Sequence, residues 1–370
     1  MKYMLGLLLS LLILGGCVWY VASRMAWMLR GRGGWWTAGL AVTLFCCLYA
    51  MFFYASKTSV SPLMHIGILF FCYLLSVLVI LLLVLLVMDL IHMIFPFRKS
   101  LFITLTLLLT GTVSCYGLVH AATPKWKEVT IDLPKLSHEI TAVQLTDLHI
   151  GHFRGRRHLE RLVRKVNDRN PDVIFFTGDF IESWYNCSEE AIAPVRQFKA
   201  PVFFVDGNHD TYVDASLVKD LCRKVGFHVL ENEAADIDGL QIIGLDYMVA
   251  DEDSRDDMHA ALTDRTIRST MPLMGVADSV ASVVLHHSPV GAEYIEKAGA
   301  DLFLSGHTHG GQFFPLTLIN DRLFEYNRGL YRRGKLTVYV SCGSGTFGLP
   351  LRFGTDSELT LLHLKPMEQE

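Results

Sequence analysis

Five short clusters of His, Asp and Asn hold most of the residues in this 370-residue chain that could do chemistry. In order they are Thr146-Asp147-Leu148-His149, Gly178-Asp179, Gly207-Asn208-His209-Asp210, His286-His287-Ser288-Pro289 and Gly306-His307-Thr308-His309-Gly310-Gly311. Carboxylate, imidazole and amide oxygen together suit first-row divalent metals such as Mn, Fe or Zn rather than Ca. In Asp147-x-His149 and His307-x-His309, alternate residues point the same way if the backbone is extended. Two such pairs plus Asp179 supply more ligands than one ion requires. Two ions about 3.5–4 Å apart can clamp a phosphoryl group and generate a hydroxide nucleophile between them. Asp179, a lone carboxylate, is the natural bridge. Any one cluster alone means little, since a single His at a strand end is usually a satisfied polar group and Gly207–Asp210 alone reads as a turn.

The elements that must position these residues are legible as short apolar runs. Ile140–Thr146, Val173–Thr177, Val202–Val205, Leu240–Leu245, Val280–His286 and Leu302–Ser305 read as buried strands. Helical stretches such as Arg157–Arg169 and Asp214–Val225 lie between them, and Leu336–Cys342 and Glu358–Leu364 are late strands. The order is that of a layered α/β domain. Each reactive cluster directly follows a strand, where ligand sites of such sheets collect. The acid-rich insert Asp251–Ser279 reads as a solvated helix or loop over one edge.

The five clusters, ending in Gly306-His307-Thr308-His309-Gly310-Gly311-Gln312, resemble the calcineurin-like metallophosphoesterase superfamily, and look closest to its membrane-associated bacterial phosphodiesterase branch. The match runs over residues 138–364 with all five motifs in order. The resemblance implies a four-layer α-β-β-α domain holding two divalent ions (Mn, Fe or Zn, with Mn favoured). Metal one would be held by Asp147, His149, Asp179 and His309, and metal two by Asp179, Asn208, His287 and His307. His209 would assist beside the metals as a catalytic residue, and Asp210 would orient it. The family usually has Ser where this chain has Thr146, which is not a ligand position. The family's fourth motif has one His, and the register with Pro289 selects His287 over His286. Gly343-Ser344-Gly345 with Arg352 resembles a late family motif, in which Arg352 contacts substrate or makes a structural ion pair.

The front of the chain differs in composition. Residues 1–121 hold seven Lys/Arg and one acid, a net of +6; the whole chain is −4, so residues 122–370 carry −10. That acidic balance excludes nucleic acid as an expected partner. Four apolar runs, near 3–22, 35–55, 66–88 and 101–121, are long enough to span a bilayer. They give a four-helix transmembrane region over 1–121, a linker at 122–137 and the catalytic domain at 138–366. Asp89 and His92 are expected at the interface, and Trp35, Trp36 and Phe97 suit an aromatic belt. Arg24, Arg30 and Arg32 follow the first run, and Arg98 and Lys99 the third, against only Lys2 and Lys57 on the other side. The positive-inside rule then puts the catalytic domain on the extracytoplasmic face of the cell membrane. Leu14–Cys17 faintly resembles a lipoprotein cleavage box, but the apolar run continues past it. The eight cysteines follow no disulfide or zinc-finger spacing.

The expected function is a membrane-anchored phosphoesterase acting on phosphodiesters or phosphomonoesters, with lipid-linked or envelope substrates suggested by location. A pyrophosphatase of nucleotide-activated lipids is the alternative within the enzymes. A transporter or sensor with a metal-binding domain is the alternative of another class; the spans lack the ionisable or Gly/Pro-broken features of a transport site. The stretch Gln312–Arg333, with Phe313, Phe314, Phe324, Tyr326, Tyr331 and four arginines, would meet a lipid headgroup or substrate phosphate, or be an ordinary surface hairpin. His152 reads as a substrate-side or surface residue, and His120, His138, His158, His228, His259 and His363 as satisfied polar groups.

Overall fold

The computed structural model describes residues 2–29, 61–254 and 265–367. The expected second span at 35–55, with Trp35, Trp36, Arg30, Arg32 and Lys57, lies outside the described residues, as does His259. The chain divides into two units, residues 1–119 with 348–350, and residues 120–347 with 351–370.

The first unit is helical. Two helices, Pro62–Ile94 and Lys99–Ala122, are long and apolar enough to cross a membrane, and they coincide with the expected third and fourth spans. Ser61 caps the first of them by accepting from the Met64 N–H, and Pro62 fills the first turn, where its missing N–H costs nothing. A further helix covers Lys2–Met28, over the expected first span. Asp89, expected only to sit at an interface, has specific partners. Arg24 lies 2.8 Å from its carboxylate, and the Tyr20 hydroxyl donates to the same oxygen. An apolar cluster of Val21, Leu81, Leu85, Met88 and Phe102 packs this end of the unit.

The second unit holds two six-stranded mixed sheets. The first has the order β1 (Lys125–Leu133), β12 (Glu358–Pro366), β2 (Ile140–Leu145), β3 (Val173–Thr177), β4 (Val202–Val205) and β5 (His228–Val229). The second runs β10 (Gly329–Arg333), β11 (Leu336–Val340), β9 (Leu302–Ser305), β8 (Ala281–Leu285), β7 (Leu240–Gly244) and β6 (Glu233–Ile237). Central strands such as β3, Val-Ile-Phe-Phe-Thr, are buried at every position, as parallel strands covered on both faces must be. Alternation sorts their side chains. Val173 and Phe175 enter a core shared with Leu240, Val283 and Leu302 of the other sheet. Ile174 and Phe176 pack outward against Leu159, Leu162, Val218 and Leu221 of helices Arg156–Asn167 and Ala215–Lys224. A third core joins Val284, Phe303 and Val338 to Ala292 and Ile295 on the far side. Helices therefore flank both sheets, and the layers follow the expected α-β-β-α order.

Three segments depart from expectation. Residues 125–133, placed in a linker, form β1 and pair in parallel with β12 from Lys125–Glu358 to Leu133–Pro366. Its solvent-facing positions are polar, which hid the strand in a search for wholly apolar runs. The acidic insert is not merely a solvated cover: Ile267 and Met271, from its helical turns, are fully buried in the third core. The aromatic stretch after Gln312 is only in its second part the expected hairpin, β10 pairing antiparallel with β11; its first part is a helix, Leu316–Leu323.

Lys219, buried at 7% exposure, holds the ends of two strands together. Its ammonium lies 3.3 Å from Asp206 after β4, 2.5 Å from Asp246 after β7 and 3.2 Å from Glu231. A single cation thus compensates the buried Asp206 carboxylate and ties it to two that reach solvent.

Candidate functional site

The expected site residues come together, each on the loop leaving the C-terminal end of a strand. Asp147 and His149 follow β2, Asp179 follows β3, Asn208 and His209 follow β4, His287 follows β8, and His307 and His309 follow β9. Asp147, His149, Asp179, His307 and His309 all take positive φ, between 49° and 71°. Non-glycine residues pay about 1–3 kcal/mol each for such backbone, and its clustering marks a constrained site. Glycines allow the close approach. A Cβ on Gly306 would lie 2.2 Å from Thr146 Oγ1, and one on Gly207 would lie 2.3 Å from Asp179 Oδ1.

The donors fall into two touching groups. In one, Asp147 Oδ1 lies 3.2 Å from His309 Nε2 and 3.9 Å from His149 Nε2, and the two imidazole nitrogens are 3.1 Å apart. In the other, His287 Nε2 lies 3.1 Å from Asp179 Oδ2 and 3.3 Å from His307 Nδ1, which is 2.9 Å from Asn208 Oδ1. Asp179 Oδ2 stands between the groups, 3.7 Å from His149 Nε2. Three sets of ligand atoms, Asp147-His149-His309, His149-Asp179-His209 and Asp147-Asp179-His287, are compact enough to hold an ion.

The surrounding bonds aim these donors inward. Asp147 Oδ2 accepts from the Thr146 hydroxyl at 2.8 Å and the His307 N–H at 3.1 Å, while Oδ1 is buried with no hydrogen-bond partner. Asp179 Oδ1 accepts from the His209 N–H at 2.8 Å, which leaves Oδ2 to the site. His287 Nδ1 donates to the Thr177 carbonyl at 2.8 Å, a partner that fixes the tautomer and presents Nε2. Orphaned carboxylate oxygen and converging imidazole lone pairs are costly when buried and fit a cation. Electrostatics agrees: burial works to discharge His287, yet Asp179 and Asp147 outweigh it and push its pKa up to about 10. Burial and the neighbouring His287 hold His307 neutral, its pKa down to about 3.

His286 is turned away. Its Nδ1 bonds the Ser288 carbonyl at 2.7 Å and its Nε2 accepts from the Met248 N–H at 3.3 Å, so both nitrogens are used in the core. Asp210 departs from its expected task. Its carboxylate accepts from the backbone N–H groups of Phe180, Ile181 and Gly207, at 3.2, 2.8 and 3.0 Å, and so ties the β3 loop to the β4 loop. Among the described bonds none joins it to the His209 ring. Burial and nearby Asp179 push Asp210 up to about 8, against the backbone donors. The His209 ring instead stands edge-on to His149, with centroids 4.6 Å apart. His152 stacks on Tyr185, outside the ligand groups.

Arg352 forms no ion pair among the described residues. Fully buried, it donates to the carbonyls of Cys342, Gly345 and Asp356, at 2.6, 2.8 and 2.8 Å, and lies 3.1 Å from His309 Nδ1. A guanidinium can only donate, so Arg352 packs a donor against the His309 ring and fixes where that ring stands. The loop that Arg352 holds also backs Asp147, since the Gly345 N–H donates to the Asp147 carbonyl at 2.7 Å. An ammonium cannot span these acceptors. Arg352→Lys is therefore expected to weaken metal binding by about 10–100-fold, and an unchanged calorimetric metal titration would refute it. Aromatic neighbours that the motifs did not reveal also line the site: Tyr247 edges His287, Phe324 lies 5.9 Å from His307 and Phe347 lies 5.1 Å from His309.

Comparison with known proteins agrees with this geometry. The calcineurin-like phosphoesterase family profile matches residues 140–311. A transmembrane protein with metallophosphoesterase domain from Danio rerio is 32% identical over 73% of this chain and 63% of its own length. A Helicobacter pylori metallophosphoesterase is 31% identical over 67% of this chain and 66% of its own length. Another, from Aquifex aeolicus, is 31% identical over 65% of this chain and 91% of its own length. The chain thus spans slightly under two thirds of the first two relatives and nearly all of the third. With five strand-end motifs, two sheets and converging Asp and His donors in place, this chain belongs to the calcineurin-like metallophosphoesterases.

Proposed function

We propose that the chain is a membrane-anchored dinuclear phosphoesterase that hydrolyses phosphodiester or phosphomonoester bonds at the strand-end site. The observation that carries this reading is Asp179 Oδ2, placed between His149 and His287 at 3.7 and 3.1 Å, where one carboxylate can serve two ions. Asp147, His149, Asp179 and His309 would hold one ion, and Asp179, Asn208, His287 and His307 the other. When bound, such ions supply Lewis acidity and a water acidic enough to attack phosphorus. His209, only partly buried, is placed to protonate the leaving oxygen or to stabilise charge on the phosphoryl group. Its backbone is held by Asp179, and Asp210 secures the two loops that carry the pair. Arg352 and Thr146 hold His309 and Asp147 in place.

The membrane half of the proposal rests on the helices Pro62–Ile94 and Lys99–Ala122. Arg24 meets Asp89, and Lys99 donates to the Trp27 carbonyl at 2.5 Å, so basic residues gather at one end of the helical unit. The helix Lys99–Ala122 starts at that end and leads to β1. This arrangement supports an extracytoplasmic catalytic domain by the positive-inside rule, and with it four spans and a lipid-linked or envelope substrate.

The test is hydrolysis by the purified full-length chain, stripped of metal and then supplied with Mn, Fe or Zn. A panel of aryl diesters, aryl monoesters and lipid pyrophosphates separates the phosphoesterase from the pyrophosphatase reading. Mn-dependent cleavage of a diester or monoester is the expected result. No cleavage of any member would overturn the enzymatic reading.

A further inference from the structure

Helix Leu316–Leu323, which follows the His307-His309 loop, is amphipathic in the reverse sense. Its inward positions are polar. Thr317 is buried and the half-buried Asn320 donates to the Thr308 carbonyl at 2.9 Å, while Asp321, at the exposed margin of this face, accepts from Asn327 at 2.6 Å. These positions, spaced three and four apart, share one face, and Asn320 fastens the helix to the loop carrying the two histidines. The opposite face carries Leu318, Ile319, Arg322 and Leu323. Leu318 is 50%, Ile319 48% and Leu323 66% exposed, so the apolar residues of this helix are turned toward solvent. Phe314 just before it and Phe347 beside His309 are also exposed, at 44% and 41%.

Scattered exposed apolar side chains are normal, but these are not scattered. Of the nine large apolar side chains exposed in the described residues after 124, five lie between Phe314 and Leu330. The helix also ends beside the site, since Phe324, which caps it, stands 5.9 Å from His307. The occupant that fits is a lipid surface. The apolar helix Lys99–Ala122 ends two residues before β1 begins at Lys125, so a bilayer crossed by that helix lies at the start of the catalytic domain by chain length alone. Arg322 on the same outward face suits this role, since a long basic side chain lies along apolar surface while its charge meets lipid phosphate.

We propose that the outward face of helix Leu316–Leu323 seats in the apolar edge of the bilayer and delivers a membrane-resident phosphoester to the His307 side of the metal site. This rests on the phosphoesterase reading above and narrows its substrate to an amphiphile whose phosphate stays at the membrane surface while its chain remains in lipid.

The test uses the full-length chain reconstituted with Mn into phosphatidylcholine–phosphatidylglycerol vesicles. Two probes share one leaving group and differ only in chain, ethyl p-nitrophenyl phosphate and hexadecyl p-nitrophenyl phosphate. The parent chain is expected to prefer the hexadecyl ester. The variant Leu318→Ser/Ile319→Ser/Leu323→Ser should lose about tenfold or more of that preference while cleaving the ethyl ester at an unchanged rate. A second measurement is independent of turnover: photolabelling by a phosphatidylcholine with a diazirine in its acyl chain should mark residues 318–323. No preference for the long chain, a preference untouched by the triple variant, or no label on this helix would overturn the proposal. If the helix is labelled but neither ester is cleaved, diester delivery to the metal site falls, and the phosphoesterase reading falls with it only if the aryl monoester and lipid pyrophosphate also go uncleaved.

Discussion

Asp179→Asn is expected to lower kcat/KM by at least about a thousandfold, about 4 kcal/mol of transition-state stabilisation, and to reduce bound metal below two ions per chain. The substitution is nearly isosteric, and an amide oxygen at the Oδ1 position can still accept the His209 N–H, which is now bonded at 2.8 Å. The loop should therefore keep its shape. What disappears is the negative charge that faces His149 at 3.7 Å and His287 at 3.1 Å. An amide offers one neutral oxygen, a poor bridge between two dications. His287 would respond as well, because Asp179 is the first partner opposing burial in raising its pKa to about 10. Elemental analysis of the purified variant, alongside a diester assay, decides the matter. An Asp179→Asn protein that retains two ions and turns over normally would refute the bridging role.

His209→Ala is expected to lower kcat by about 10²–10⁴-fold while leaving two ions bound. The structure makes this a sharp test, because His209 also belongs to a compact set with His149 and Asp179 that could itself hold an ion. Loss of metal in the variant would make it a ligand; retention with lost turnover would make it a proton donor or charge stabiliser. The leaving group separates those last two. A poor leaving group, such as an alkoxide, needs the proton, whereas p-nitrophenolate departs without one. A deficit that grows as the leaving group worsens identifies the acid, and a uniform deficit identifies charge stabilisation.

Much of the catalytic unit was legible because its signals are local. Strands β3, β4, β8 and β9 are buried at every position, so each shows as a short apolar run with its reactive cluster directly behind it. The choice of His287 over His286 comes from the family register with Pro289, and the geometry is consistent with it: adjacent residues leaving a strand point to opposite faces, and His287 faces the candidate site while His286 faces the core. Edge strand β1 escaped because its outward side is polar, and Ile267 and Met271 escaped because two apolar residues in an acidic stretch carry no periodicity.

The motifs themselves determined that this chain is a metallophosphoesterase, since the kinds of donor and their strand-end spacing are written in contiguous residues. Which donor serves which neighbour was decided only by the tertiary structure. Arg352 bonds a ring 43 residues away, and the Asp210 carboxylate answers backbone N–H groups 29 and 30 residues away. The outward turn of Leu318, Ile319 and Leu323 likewise depends on where Asn320 and Asp321 find their partners. A buried polar group must satisfy itself with whatever the fold brings near, and that partner is set by packing rather than by the residues beside it in the chain.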